Sequence, residues 1–395
     1  MARKYHIVSA DSHLDLSPDR WRHRVPAKWR DLAPRVVKLE SGAEAFLMPG
    51  GQPRVIDYLQ HAGVPKSEIH KQIPTFDKVA GAGDPEQRLK EQDQDGVDAE
   101  IMFSTQPGNV DILRSIQDTD AYLAINHAYN EYLAEEYAAV ARDRLIPLGV
   151  MPVAGVDAAI KEMEYCARAG LKGIQIDRYP SGKGYPTAED DNFWAAALDM
   201  KMAITHQCGS GSTRMAREDE PTFEYQKPES ADRAGGFFAH DPMRPWFFRY
   251  TFEGIVAPVQ MAMAGVYDRF PDLQIYWGET LIGWLPSTLV QVESNYERYK
   301  HLARDQFGFD FLETPLREYV RRHNLWGSLS DPHGIRMRHE IGVETIMWGS
   351  DFAHAAGDWP HSLQQIEREY AEVPEDEKNL MLAGNAIRFF HLDAG

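Results

Sequence analysis

Cysteine is almost absent: of 395 residues only Cys166 and Cys208 carry a thiol. Two cysteines build no disulfide framework, and the expected compartment is a reducing one, the cytoplasm. Basic residues are outnumbered, 42 Lys plus Arg against 60 Asp plus Glu, for a net charge of −18. No basic run or patch interrupts that balance, which argues against nucleic acid and anionic membrane as partners. No uninterrupted apolar stretch approaches the ~20 residues of a membrane span, and Met1-Ala2-Arg3-Lys4-Tyr5 leads into strand-like sequence without an apolar signal region. No G-x-G-x-x-G follows the first strand, so a dinucleotide fold would lack its phosphate-binding turn. What remains is 43 % hydrophobic and 26 % charged, the composition of a soluble globular chain with a large core.

Within that composition the pattern is α/β. Short apolar runs alternate with helical ones: His6-Ile7-Val8-Ser9, Ala99 to Phe103, Leu145 to Val150, Leu171 to Ile176, Met202 to Thr205, Leu273 to Trp277, Leu325 to Ser328 and Thr345 to Trp348. Helices are expected at Pro85 to Asp95, with Asp84 as N-cap and Gly96 as stop, and at Asp118 to Arg142, where Tyr122, Ile125, Tyr129, Leu133 and Tyr137 recur at helical spacing. Others follow at about 156–169, 190–200, 246–267 and 285–304, and two more close the chain. Eight βα repeats with no dividing linker predict a (β/α)8 TIM barrel, residues 1–395 forming one domain. Two irregular insertions, about 15–84 after the first strand and 207–245 after the fifth, are expected to cover the barrel mouth and choose the substrate. The first carries a tight turn at Met48-Pro49-Gly50-Gly51; the second carries Gly209, Gly211, Gly235 and Gly236.

In a barrel the chemistry sits at the carboxyl ends of the strands, and metal-type side chains collect there. Asp11 and His13 follow the first strand, His206 the fifth, Glu279 the sixth, and Asp351 with His354 the eighth. On extended backbone Asp11 and His13 point the same way, about 7 Å apart along the chain. Each has a structural alternative: Asp11 a turn cap, His13 a loop histidine, His206 bonded to backbone, Glu279 a helix cap, His354 a substrate contact. Cys208, two after His206, is a soft ligand or a small buried thiol. As a set, three carboxylates and three histidines make an oxygen-rich site suited to zinc, iron or manganese. They could also divide between two ions, Asp11, His13 and Asp351 around one and His206, Glu279 and His354 around the other.

The chain resembles the amidohydrolase superfamily, in the branch typified by aminocarboxymuconate-semialdehyde decarboxylase. The resemblance rests on Val8-Ser9-Ala10-Asp11-Ser12-His13, Pro26-Ala27-Lys28-Trp29-Arg30-Asp31, Gly96-Val97-Asp98-Ala99-Glu100 and Phe193-Trp194-Ala195-Ala196-Ala197 leading to His206. It continues in Phe270-Pro271-Asp272-Leu273 leading to Gly278-Glu279-Thr280-Leu281-Ile282-Gly283-Trp284-Leu285-Pro286, then Trp348 to His354 and Gly384-Asn385-Ala386. It implies a metal-dependent TIM barrel of hydrolases and nonoxidative decarboxylases, with His13, His206 and Asp351 at family ligand positions. Asp11 stands where a first histidine is usual, and Glu279 where the decarboxylases tend to have a catalytic histidine.

The leading expectation is therefore a metal-dependent hydrolase of C–N or C–C bonds, with decarboxylation as a variant and zinc as the ion. A metal-activated water would attack, Asp351 would act as ligand and proton shuttle, and Glu279 or His206 would assist. Arg178 and Lys183 are either anchors for a substrate carboxylate or a solvated basic loop. Two other classes stay open: a dinuclear iron or manganese oxygenase of the amine N-hydroxylase type, and a scaffold or partner subunit. The expected partners are a small-molecule substrate and a second chain, as a homodimer or in a hetero-oligomer with a related subunit.

Overall fold

The computed structural model describes residues 3–55, 61–105, 113, 115–207, 252–307 and 311–393. Nearly all of the second insertion, with Cys208 and its four glycines, lies outside them, as does the Trp246 start expected for the next helix. Strand β1 is Val8–Leu14, and β2 (Arg35–Lys38), β3 (Glu44–Leu47) and β4 (Arg54–Val55) form a small antiparallel sheet around the Met48-Pro49-Gly50-Gly51 turn. The remaining strands are β5 (Ala99–Ser104), β6 (Leu145–Pro147), β7 (Gly149–Val150), β8 (Gly173–Gln175), β9 (Ala203–Gln207), β10 (Ile275–Gly278), β11 (Asn324–Ser328) and β12 (Ile346–Trp348). They make two parallel sheets, β1-β5-β6 and β7-β8-β9-β10-β11-β12.

The chain itself joins these sheets at one end, and backbone hydrogen bonds join them at the other. Leu148, between β6 and β7, donates to Met102 O, and Met151 donates to Gln175 O. The stretch expected as one strand, 145–150, thus breaks in two and serves β5 with one piece and β8 with the other. At the opposite seam Asp351 N donates to Asp11 O at 2.9 Å, His13 N donates to Phe352 O, and Ser12 bridges Phe352 in parallel.

Both faces of the strands are buried, because helices cover one face and the strands' own side chains fill the other. On the inner face Val8, Ala10, Ile101, Phe103, Ala203, Tyr276, Leu325 and Met347 pack together with Ala383 and Phe390 from the last helical segment. On the outer face Ile204, Trp277, Trp326 and Trp348 pack against helices, among them Val156–Ala169 and Asp191–Asp199. Helix boundaries follow local chemistry. Asp84 accepts from Gln87 N at the start of Pro85–Asp95, and Gly96 ends that helix at φ 76°. Asp118 caps Thr119–Tyr132 in the same way, and the expected helix to Arg142 instead widens into a π turn, Leu133–Tyr137, and then tightens into a 3-10 turn ending at Val140.

Candidate metal centre

A β-bulge aims the first strand. Val8 faces Ala99 and His13 faces Phe103, but the register slips between Ser9 and Ser12. Ala10 and His13 would otherwise point to opposite faces; the extra residue puts His13 on the inner side, with Ser12 and Leu14 turned outward. Ser9 fastens the bulge, its hydroxyl donating to Asp11 O at 2.9 Å and accepting from Ser350 N at 2.9 Å.

Past β10 and β12 the chain turns through left-handed backbone at Glu279 (φ 56°), Leu281 (φ 53°) and Asp351 (φ 55°). These are sparsely populated conformations for residues with a side chain, and the surroundings hold them. Asp331 Oδ2 accepts from both Ile282 N and Gly283 N at 2.7 Å, pinning the turn after Glu279. Gly349 allows close approach: a Cβ there would lie 2.6 Å from that of Asp11.

The result is a buried group of four, His13, Glu279, Asp351 and His354, whose ligand-type atoms all lie within 4.8 Å of one another. Asp351 Oδ1 is 2.8 Å from both His13 Nε2 and His354 Nδ1. The two imidazoles stack with ring centres 3.7 Å apart. Gln207 Nε2 donates to Glu279 Oε2 at 2.8 Å. Asp11 backs the group, its Oδ1 3.5 Å from His13 Nε2.

Electrostatics in this enclosure are unbalanced. Burial, and then the Asp351 and Glu279 carboxylates, push the Asp11 carboxyl well above its ordinary range. Burial and the neighbouring His354 lower His13 to about 4. His354 is raised to about 9, burial being outweighed by Asp351, and Asp351 is held below the usual carboxylate range against its burial by His354 and His13. Three carboxyl groups therefore crowd around one imidazolium, and the repulsion that drives Asp11 toward its protonated form is what a divalent cation would relieve. The geometry agrees. Among the described residues, both His13 ring nitrogens and Asp351 Oδ2 are buried with no aligned hydrogen-bond partner, as expected of atoms directed at a shared centre. The residues present fit a metal ion.

Not every expected member joins. His206 lies outside the group of four, and strand alternation explains why: Ala203 faces inward, so Gln207 does too and His206 faces outward. Its ring packs 4.9 Å from Trp277, and burial lowers it to about 4. Arg178 is half-buried, whereas Lys183 pairs with Glu189 at 2.6 Å on the surface. Two participants escaped the sequence reading. Asp15, 3.9 Å from His354 Nε2 and bonded by the Thr105 hydroxyl, was signalled by the period of two through Asp11 and His13. Gln207 was signalled only by alternation along β9.

Comparison with known proteins extends this geometry. Residues 11–392 match the family model described as Amidohydrolase. The 2-amino-3-carboxymuconate-6-semialdehyde decarboxylase of Dictyostelium discoideum is 23 % identical over 316 residues, covering 78 % of this chain and 77 % of that protein. A crystal structure of an amidohydrolase from Mycobacterium avium subsp. paratuberculosis K-10 superposes with a TM-score of 0.72 at 15 % identity, covering 98 % of each chain. A dihydroxybenzoic acid decarboxylase from Polaromonas sp. JS666, with bound manganese and the inhibitor 2-nitroresorcinol, gives 0.63 at 14 % identity, covering 99 % of this chain and 98 % of that one. Among the described residues no helix is long and apolar enough to cross a membrane.

Proposed function

The chain belongs to the amidohydrolase family, and from that premise we propose that it is a metal-dependent lyase removing a carboxylate from a small aromatic or unsaturated acid without an oxidant. The observation that carries this reading is the buried cluster of His13, Glu279, Asp351 and His354. Its crowding of buried carboxyl groups asks for a divalent cation, and its relatives include decarboxylases, one of them holding manganese. The same reading takes the two joined parallel sheets as one closed (β/α)8 barrel and residues 1–395 as one domain. Manganese suits the oxygen-rich donors better than the zinc expected from sequence. The comparisons lend the oxygenase no support.

A bound divalent cation would supply a Lewis acid that polarises a substrate oxygen. The chain's own groups do the rest. Gln207 holds Glu279 in one orientation, and Asp11 supports His13 from behind. Asp351, kept a carboxylate by His354 and His13, would face the cation, and His354, raised to about 9, is the group that holds a proton and can pass it to the substrate carbon as the C–C bond breaks and carbon dioxide leaves. Asp15 beside His354 Nε2 gives that imidazole a second carboxylate to lean on. Hydrolysis is the second reading, favoured by Glu279, a carboxylate oriented well enough to take a proton from water.

The test is anaerobic incubation of manganese-loaded protein with dihydroxybenzoic, carboxyvanillic and aminocarboxymuconic acids. One carbon dioxide released per acid consumed, lost on Asp351→Asn, supports the lyase. Cleavage of amide or lactone analogues with no decarboxylation across the acids would replace it with the hydrolase.

A further inference from the structure

The deepest cation in the described structure is not at the candidate centre but beneath it. Arg88, on helix Pro85–Asp95, is 1 % exposed. Its charge is met by Glu100 of β5, with Nε to Oε2 at 2.7 Å and Nη2 to Oε1 at 3.3 Å, and Gln92 Nε2 donates to the same Oε2 at 2.7 Å. An ion pair for stability would need no more. Arg88 nevertheless spreads its remaining N–H groups over backbone: Nη1 donates to His13 O at 3.1 Å, and longer contacts reach Phe352 O at 3.4 Å and Gly81 O at 3.5 Å. Its guanidinium carbon also lies 4.4 Å from the centre of the Phe352 ring.

These acceptors are not arbitrary. His13 carries one donor of the proposed site, and Phe352 lies between two others, Asp351 and His354. Gly81 belongs to the first insertion, which lies against the same segment through Ala62 N donating to Ala353 O at 3.2 Å. We propose that Arg88 is a positioning residue for the cation site, fixing the backbone of β1 and of the Asp351–His354 segment so that their side chains converge. The inference rests on the metal reading above and adds a residue to it. A planar fork of five donors can hold carbonyls from three chain segments while paired to a carboxylate; a lysine ammonium cannot. Groups that orient ligands from behind typically contribute 10–100-fold to metal affinity.

The experiment measures Mn2+ affinity of the full chain by chelator competition, together with the melting temperature of metal-free protein. Arg88→Lys is expected to weaken Mn2+ binding about 10–100-fold while the metal-free protein still melts cooperatively. Gly81→Ala tests the same clamp from outside, because its Cβ would fall 2.9 Å from Arg88 Nη1 and 2.3 Å from the Ala353 Cβ, at a φ of +80°. It is expected to weaken Mn2+ binding too, without altering a buried charge. Glu100→Gln leaves the guanidinium in place, and is expected to lower the melting temperature more than the affinity. Wild-type Mn2+ affinity in a folded Arg88→Lys protein overturns the proposal; should that variant not fold, wild-type affinity in Gly81→Ala does. If the unaltered protein binds no Mn2+, the metal reading itself falls and the proposal with it.

Discussion

Gln207 and His206 are neighbours on one strand, yet only one can face Glu279. The outward turn of His206 and the 2.8 Å bond from Gln207 to Glu279 lead to opposite expectations for two adjacent substitutions. Gln207→Leu removes the donor that orients a ligand carboxylate and should weaken Mn2+ binding about 10–100-fold. His206→Gln should change it by less than about threefold, much less than the loss of a supporting hydrogen bond, and Mn2+ titration of both variants decides. Equal losses would put His206 back among the ligands. Sequence made the candidate donors legible as a set at the strand ends, where each taken singly also had a structural use. Which of two consecutive residues turns inward was not legible at β9, because that depends on the phase of the strand. At β1 the phase also changes through a bulge whose fastening, Ser9 to Asp11 and Ser350, joins residues 341 apart in sequence.

Turns between elements carry much of the site's precision. The loop after β10 passes twice through left-handed backbone, and Asp331, from the start of helix Pro332–Arg336, secures it through Ile282 N and Gly283 N while also capping its own helix at Gly334 N. Asp331→Ala leaves those three amides without their acceptor. Each such loss costs about 1–3 kcal/mol when buried, so a drop of several kcal/mol in unfolding free energy is expected, together with weaker Mn2+ binding through Glu279. Denaturant titration and metal competition measure the two effects. An unchanged affinity would show that Glu279 does not need its turn held. A different element carries a pH signal. His127, on helix Thr119–Tyr132, is raised above its ordinary value by its hydrogen bond to Glu162, against partial burial. A raised histidine stabilises the fold fully below its unfolded value near 6.5 and loses that contribution as pH climbs through the folded value. Melting temperature should therefore fall somewhat across the range just above pH 6.5, and His127→Gln should flatten that slope. Solvent screening of the half-open ring keeps the effect small; an identical slope in the variant would assign it elsewhere. The periodicities that placed these helices were legible because they are local. The split of 145–150 into β6 and β7 was not, since it arises from pairing with two different partners.

Taken as a whole, the chain brings its first strand and its last parallel strand together and places the candidate ligands on that seam. His13 comes from β1, Asp351 and His354 follow β12, and Glu279 follows β10. In metal-free protein the seam must accommodate three buried carboxylates, Asp11, Glu279 and Asp351, in a molecule whose net charge is already −18. A divalent cation bound only by the folded state removes that repulsion and adds stability by mass action, about 2.7 kcal/mol at a free concentration one hundred times its dissociation constant. That corresponds to a melting temperature several degrees higher with Mn2+ than with a chelator. The gain should also be local. Amides at the seam, Asp351 N to Asp11 O and His13 N to Phe352 O, should exchange faster after chelation than amides of helix Val156–Ala169, which packs on the outer face away from the site. A uniform change in exchange would mean that the ion, if it binds, does so elsewhere, and faster exchange confined to the seam would tie the closure of the fold to the occupancy of its centre.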